Sequence, residues 1–313
     1  MRRVVSGTGK VLVTLGILIL LFVAYQLWGT GVYTARAQNQ LEKEFQASLD
    51  QSEAPPTTVP GTTGRGTDDP VVGPTTTATL APPAPPNPED GDVVAHLVIS
   101  KLGVDAYVVQ GTDGGDLRKG PGHYPATPYP GQVGNSAIAG HRTTYGAPFG
   151  ELDSLEGGDI IDVTTLQGSF RYRVYDKVVV SPSMTEVLEA PGPGDPRQAI
   201  LTLTTCHPKY SAAQRLIVQA ELVVPDGAPL PSSVDPRDPA VRKAAGKDPL
   251  SGDTGPITPT IVAGIILAIV GGLWWLLFHR HPRWTTWLIG VVPFAVALAV
   301  FFYLFERVLP ANY

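Results

Sequence analysis

The stretch Ala199-Ile200-Leu201-Thr202-Leu203-Thr204-Thr205-Cys206-His207-Pro208 contains the only cysteine among the 313 residues of the chain. Its apolar and Thr-rich composition predicts a β-strand that ends at a Pro-containing turn. A second strand is predicted from Arg215, and a short apolar run over residues 136–140 ends at His141. A thiol, an imidazole and a guanidinium at strand ends are the groups that a cysteine nucleophile, its proton partner and an anion stabiliser require.

Each of these three residues also has a structural alternative. A lone cysteine is often a small buried apolar residue, or in an exported protein one half of an intermolecular disulfide. A position in a turn would explain His141, and a surface position at a strand end would explain Arg215. Three further histidines lie in predicted strands or loops, and for them the structural interpretation is favoured: His96, His123 and His207.

Several motifs stand in a fixed order along the chain. Thr202-Leu203-Thr204-Thr205-Cys206 resembles the TLxTC signature of the sortases, the cysteine transpeptidases of Gram-positive cell surfaces, and Ala139-Gly140-His141-Arg142 resembles their histidine motif. Arg215 stands where their arginine does, at the start of the strand after the cysteine loop. Two further runs match the family: Gly120-Pro121-Gly122-His123-Tyr124-Pro125 and Phe149-Gly150-Glu151-Leu152-Asp153-Ser154-Leu155-Glu156-Gly157-Gly158-Asp159. The resemblance covers about residues 93–224, and the set in this order is specific.

The resemblance implies both a fold and an activity. The fold is all-β, a sortase-type eight-stranded β-barrel with short helices. Cys206 would be the nucleophile, His141 the general acid and base, and Arg215 the stabiliser of the substrate carbonyl and oxyanion, with no cofactor and no metal ion. The reaction would cleave the Thr–Gly bond in the C-terminal sorting signal of a secreted protein and transfer the acyl group, through a thioester, to an amine of a peptidoglycan precursor. The TCHP extension and the Ala-, Gly- and Pro-rich composition resemble class E sortases of actinobacteria, whose preferred signal is of the LAxTG type.

The residues themselves predict many short strands in the region 93–224. Val, Ile, Tyr and Thr are enriched in seven segments that Gly-, Pro- and Asp-containing turns separate: 93–100, 104–109, 135–139, 159–164, 169–180, 199–206 and 215–224. This pattern alone is compatible with a closed barrel or with a sandwich. Residues 185–189 predict a helical turn in the loop before the cysteine strand.

The N-terminal residues predict a membrane anchor. Three cationic residues (Arg2, Arg3 and Lys10) precede an apolar run over 11–28 that is long enough to span a bilayer with some tilt. We therefore predict a cytoplasmic tail and a retained transmembrane anchor over residues 1–30. The alternative is a signal peptide cleaved near Ala35-Arg36-Ala37.

Two polar linkers flank the predicted catalytic region. Leu41, Phe45 and Leu49 recur at every fourth position and predict a juxtamembrane helix over 31–50. Residues 51–92 are rich in Pro, Thr, Gly and Ser and predict a disordered, partly extended spacer, because they cannot bury enough apolar surface to fold. Residues 225–259 predict a second linker.

The C-terminal part predicts a membrane hairpin over residues 260–305, followed by a short tail at 306–313. Two apolar segments, about 261–278 and 284–305, are joined by the basic loop His279-Arg280-His281-Pro282-Arg283. Basic loops favour the cytoplasmic side. A basic N-terminus and a basic hairpin loop on the same side of the plasma membrane place the region 93–224 outside the cell, tethered to the lipid bilayer.

The charge of the chain gives no indication of a nucleic-acid partner. Three alternatives to the proposed sortase reaction remain open. With 23 Lys and Arg against 28 Asp and Glu, the net charge is −5, and no basic patch indicates a nucleic-acid partner. A pilin-polymerising sortase is one alternative, although the aromatic lid motif of that group is not matched at Asp69-Pro70-Val71. The others are a membrane-tethered surface-binding module without catalysis and a generic cysteine endopeptidase.

Overall fold

The computed structural model describes residues 13–14, 16–53, 88–191, 199–223, 250, 257–278, 284–306 and 308. The basic N-terminal tail, most of the two predicted linkers, the hairpin loop 279–283 and most of the C-terminal tail lie outside the described residues. The proposed domain boundaries in those parts of the chain therefore stay predictions.

Eight strands form a closed barrel in the order β1-β2-β3-β4-β7-β8-β6-β5. The strands are β1 (Val93–Ile99), β2 (Val104–Gln110), β3 (Gly122–His123), β4 (Gly134–Ala139), β5 (Ile160–Thr165), β6 (Gly168–Val180), β7 (Ala199–His207) and β8 (Gln214–Leu222). The expected all-β fold with an eight-stranded barrel is confirmed, and the sandwich alternative is wrong.

The strand pattern identified seven of the eight strands and missed β3. This strand has two residues, too few for an alternating pattern, yet it bridges β2 in parallel and β4 in antiparallel. It lies between β2 and β4 and so completes the closed barrel. The helical turn before the cysteine strand is a 3₁₀ turn over Thr185–Leu188.

Inward-facing apolar side chains from most of the strands fill the barrel. Tyr172 on β6 is fully buried, and its hydroxyl accepts a 2.6 Å hydrogen bond from the backbone N–H of Gly131. The φ of Gly131 is +92°, and a Cβ there would stand 2.3 Å from the ring of Phe170, so this close approach requires glycine. The interior is therefore a packed core in which the Tyr172 hydroxyl is paired.

A long N-terminal helix docks on the outside of the barrel. After helical residues 13–14 and 16–24 and a π-helical segment over Tyr25–Gly29, helix α1 runs from Thr30 to Glu53. Leu41 and Phe45 on α1 are buried against Tyr107 and Val109 of β2. The Gln38 side-chain amide donates to the carbonyls of Tyr107 and Lys119 at 2.9 Å each and accepts from the Tyr107 N–H at 2.7 Å. The sequence predicted this helix but not that its apolar stripe would be covered by the barrel.

The described residues contain two helices that are long and apolar enough to cross a membrane. They lie in α3 (Ile257–Phe278) and α4 (Trp284–Glu306), which follow the short helix α2 (Gly114–Leu117). The mean hydropathies of the two candidate segments are 2.3 and 2.2. The Thr260 hydroxyl donates to the Leu304 carbonyl at 2.9 Å, so the start of α3 lies beside the end of α4. Phe302 of α4 contacts Phe22 with ring centroids 5.1 Å apart, which joins the hairpin to the N-terminal helix.

Candidate active site

The residues predicted to carry the chemistry meet at one end of three neighbouring strands. Strand β7 pairs with β8 in antiparallel, and Cys206 lies directly opposite Arg215. Strand β4 pairs with β7 in parallel, with Ala139 opposite Thr204. The Gly140 N–H then donates to the Thr204 carbonyl at 3.0 Å. Because two parallel strands end on the same side, His141 follows β4 at the barrel end where β7 presents Cys206.

Threonines fix strand β7 in this position. The Thr205 hydroxyl donates to the Gly140 carbonyl at 2.7 Å, and the Thr202 hydroxyl donates to the Asn135 side-chain oxygen at 2.7 Å. The Thr204 hydroxyl lies 2.9 Å from that of Tyr124. All three threonines are almost fully buried, where an unpaired hydroxyl would be costly. Thr202 and Thr204 thus give β7 one paired polar face, whereas Thr205 lies on the opposite face with the core residues Leu201 and Leu203 and pairs with a backbone carbonyl.

The Cys206 thiol is 1% exposed, and this environment disfavours its ionisation. Burial raises the pKa of the Cys206 thiol, while the guanidinium groups of Arg215 and Arg142 oppose that rise. A thiol in such a site reacts only when a proton acceptor and positive charge compensate for the lost hydration of the thiolate.

His141 and Arg215 are both buried, His141 held by the loop that follows β4 and Arg215 by residues at and before the start of β8. The His141 ring packs on Tyr145 with centroids 4.9 Å apart, and its Nδ1 lies 3.4 Å from the Thr144 hydroxyl. Arg215 Nη1 donates to the carbonyls of Ala212 and Gln214 at 3.0 and 3.1 Å. These contacts orient an imidazole and a guanidinium fork next to the thiol.

Arg142 lies within the histidine motif, but no local pattern in the sequence predicted a role for it. Its side chain is 2% exposed and forms an ion pair with Asp153, with Nη2 and Oδ2 2.9 Å apart. Its Nη1 donates to the Cys206 carbonyl at 2.9 Å and lies 3.1 Å from Nδ1 of His207. A basic residue directly after the histidine was the available signal, and only the fold shows that it turns towards the cysteine strand.

The other two histidines lie in structural settings. His123 is buried, stacks on Tyr129, and has Nε2 2.9 Å from the Pro128 carbonyl and Nδ1 2.9 Å from the Gln110 side-chain amide. His96 pairs with Asp105 at 2.7 Å on the barrel exterior. Among the described residues no group of His, Cys, Asp and Glu could hold a metal ion.

A cavity of about 520 Å³ lies beside this site rather than over the thiol. Helix α1, the turn between β1 and β2, and the loop that follows His141 line it, together with Lys209 and Tyr210. Cys206 and Arg215 do not line it. The cavity is therefore adjacent to the candidate active site, and it is not the space in which the thiol would react.

Known proteins are similar in sequence to this chain. A family profile described as a sortase domain matches residues 97–223. The chain is 34% identical over 139 residues to Sortase D of Bacillus subtilis, which is 44% of this chain and 67% of that protein. It is 32% identical over 230 residues to Sortase SrtE1 of Streptomyces coelicolor, which is 69% of this chain. The match spans 56% of the length of that relative.

Solved structures give the same family names. The crystal structure of Sortase E1 from Streptomyces coelicolor with a tripeptide in the active site is 33% identical, covers 43% of this chain and 90% of that one, and has a TM-score of 0.40. Sortase E from Streptomyces avermitilis is 37% identical over 44% of this chain and 91% of that one, with a TM-score of 0.39. On the family profile and the sequence identity, this chain belongs to the sortase family of cysteine transpeptidases and is similar to its class E members.

Proposed function

We propose that the chain is a transpeptidase that cleaves the Thr–Gly bond of a C-terminal sorting signal and transfers the acyl group to an amine of a cell-wall precursor. The observation that carries this proposal is the pairing of Cys206 with Arg215 across β7 and β8, beside the end of β4 that leads into His141. Three chemically complementary side chains with at most 3% exposure seldom meet at one barrel end without a function.

The mechanism follows from the chemistry of each group. The Cys206 thiolate attacks the threonine carbonyl carbon, and the carbonyl oxygen takes up the electron pair. When the C–N bond breaks, the His141 imidazolium gives its proton to the departing glycine amine, which leaves a thioester on Cys206. An incoming amine then attacks the thioester, loses its proton to His141, and releases the thiolate and a new amide.

Arg215 would stabilise the negative charge that develops on the carbonyl oxygen. A guanidinium stays charged at every relevant pH, and its planar fork is fixed here by two backbone carbonyls. A single preorganised donor of this kind contributes about 3 kcal/mol to transition-state stabilisation in other acyl-transfer enzymes.

The test is capture of the thioester on the full-length chain in detergent. Incubation with an LAxTG-type peptide should add the mass of its acyl part to Cys206, and an added amine should convert that adduct into the amide product. Cys206→Ala should form no adduct, and Arg215→Lys should form it much more slowly. Hydrolysed product alone in the presence of amine would indicate an endopeptidase. Absence of any adduct would favour the surface-binding module.

The same proposal places the barrel outside the plasma membrane, anchored by three spans. Two contacts support it. Thr260 at the start of α3 binds Leu304 near the end of α4, and Phe302 of α4 packs on Phe22, which precedes α1 in the chain. Both ends of the hairpin therefore lie near the segment that leads through α1 to the barrel. A reporter cysteine within 225–249 of a Cys206→Ala chain should react with a membrane-impermeant thiol reagent on whole cells. One within 279–283 should react only after permeabilisation. The reverse labelling would contradict the proposed orientation.

A further inference from the structure

The end of strand β7 is held by a second buried guanidinium, that of Arg142. One of its terminal nitrogens donates to the backbone carbonyl of Cys206 at 2.9 Å and lies 3.1 Å from Nδ1 of His207. The other faces the Asp153 carboxylate at 2.9 Å. Through this contact the residue that directly follows His141 is hydrogen-bonded to the peptide unit of Cys206. The end of β4 and the end of β7 are therefore connected directly at the site.

The charge of Arg142 is not fully cancelled at the thiol. Its guanidinium is 2% exposed, whereas the Asp153 side chain is 48% exposed, so water screens the carboxylate more than the cation. The guanidinium groups of Arg142 and Arg215 and the hydroxyl of Tyr124 interact with the Cys206 thiol, and His141 lies at the same end of the barrel, after β4. Burial raises the pKa of Tyr124 to about 12, so that hydroxyl is neutral and adds no charge.

We propose that Arg142 is a positioning residue of the transpeptidation reaction, which fixes the peptide unit of Cys206 and supplies a second permanent positive charge beside the thiolate. This proposal rests on the proposed function of the same site. Asp153 orients the guanidinium from the far side. Only a planar fork reaches the Cys206 carbonyl, His207 and Asp153 at once, because an ammonium group is a compact point charge on a flexible stem.

The same contacts define the part played by His207. A guanidinium can only donate, so Nδ1 of His207 is the acceptor in its contact with Arg142. His207 thus helps to hold the guanidinium of Arg142 in place. This agrees with the structural interpretation that the sequence favoured.

The test measures the reactivity of Cys206 without any substrate. Since the chain has one cysteine, the rate of alkylation by iodoacetamide between pH 5 and pH 10 gives the apparent thiol pKa of that residue alone. In the full-length chain, Arg142→Gln should raise the apparent thiol pKa by about one unit, which lowers the alkylation rate at neutral pH about tenfold. Asp153→Asn should leave the thiol pKa unchanged or lower it slightly, because it removes a negative charge. If Arg142 and Asp153 only stabilised the fold, both variants would lose stability and neither would change the apparent thiol pKa.

Two further variants keep the test decisive. Arg142→Lys retains the charge, so it should keep the thiol pKa near that of the wild type but lower kcat at least about tenfold with KM unchanged. Arg171→Gln is the matched control, because Arg171 pairs with Asp162 on an exposed face of the barrel, and it should change neither quantity.

A folded Arg142→Gln variant with an unshifted thiol pKa, or an Arg142→Lys variant with wild-type kcat, would overturn the proposal. If Arg142→Gln does not fold, the kcat of Arg142→Lys alone tests the proposal, and a wild-type value would contradict it. A shifted alkylation profile in a chain that forms no thioester with sorting peptides would contradict the proposed function and leave the role of Arg142 at the thiol standing.

Discussion

His123 should make the barrel sensitive to acid. Its side chain is 1% exposed, and burial lowers the pKa of His123 from 6.5 to about 4. The unfolded chain therefore binds a proton below about pH 6.5, whereas the folded chain binds it only below about pH 4. The contribution of His123 to stability is complete above pH 6.5 and is lost as the pH falls towards 4, with a total of about 3 kcal/mol.

Between pH 7 and pH 5 the loss from His123 alone should be about 2 kcal/mol of the free energy of unfolding. Urea unfolding of the full-length chain in detergent measures it, with near-ultraviolet circular dichroism as the signal of the buried barrel tyrosines Tyr124, Tyr129 and Tyr172. His123→Gln removes the titrating group, so the variant should lose about 2 kcal/mol less than the wild type over the same pH interval, whatever its stability at pH 7. Comparing the two chains cancels the contributions of all other titrating groups. An equal loss in both would refute the reasoning.

Three more outcomes are expected. Burial raises the pKa of the Asp116 carboxyl from 3.8 to about 6, so its ionisation lowers stability as the pH rises from about 4 to about 6. Asp116→Asn should raise the free energy of unfolding by roughly 1–2 kcal/mol at pH 8 and have almost no effect at about pH 3. Phe45→Ala should weaken the docking of α1 by about 3–5 kcal/mol, seen as faster amide hydrogen exchange in α1 with the barrel strands unchanged, while Lys43→Ala on the exposed face should have no effect. If the class E likeness extends to specificity, kcat/KM for an LAxTG peptide should exceed that for the matched LPxTG peptide, and a preference for proline would exclude it.

The sequence determined the parts of the site that local pattern can reveal. The alternation of Leu and Thr before Cys206 predicts a strand, and the Pro-containing turn after it predicts a strand end. The three candidate residues could be named because each stands at such an end within a motif. Apolar runs of membrane-spanning length could be identified in the same way, since that property depends on a continuous stretch of chain.

Tertiary structure alone decided which of these ends meet. The parallel pairing of β4 with β7 and the two-residue strand β3 arise from contacts between residues far apart in the chain, and no local pattern specifies them. The same holds for Arg142, whose partners are Asp153, Cys206 and His207. The apolar stripe of α1 likewise packs on β2, and no local pattern in the sequence indicated that contact. An amphipathic pattern states that a face must be buried, but closure of the barrel determines which surface is free to cover it.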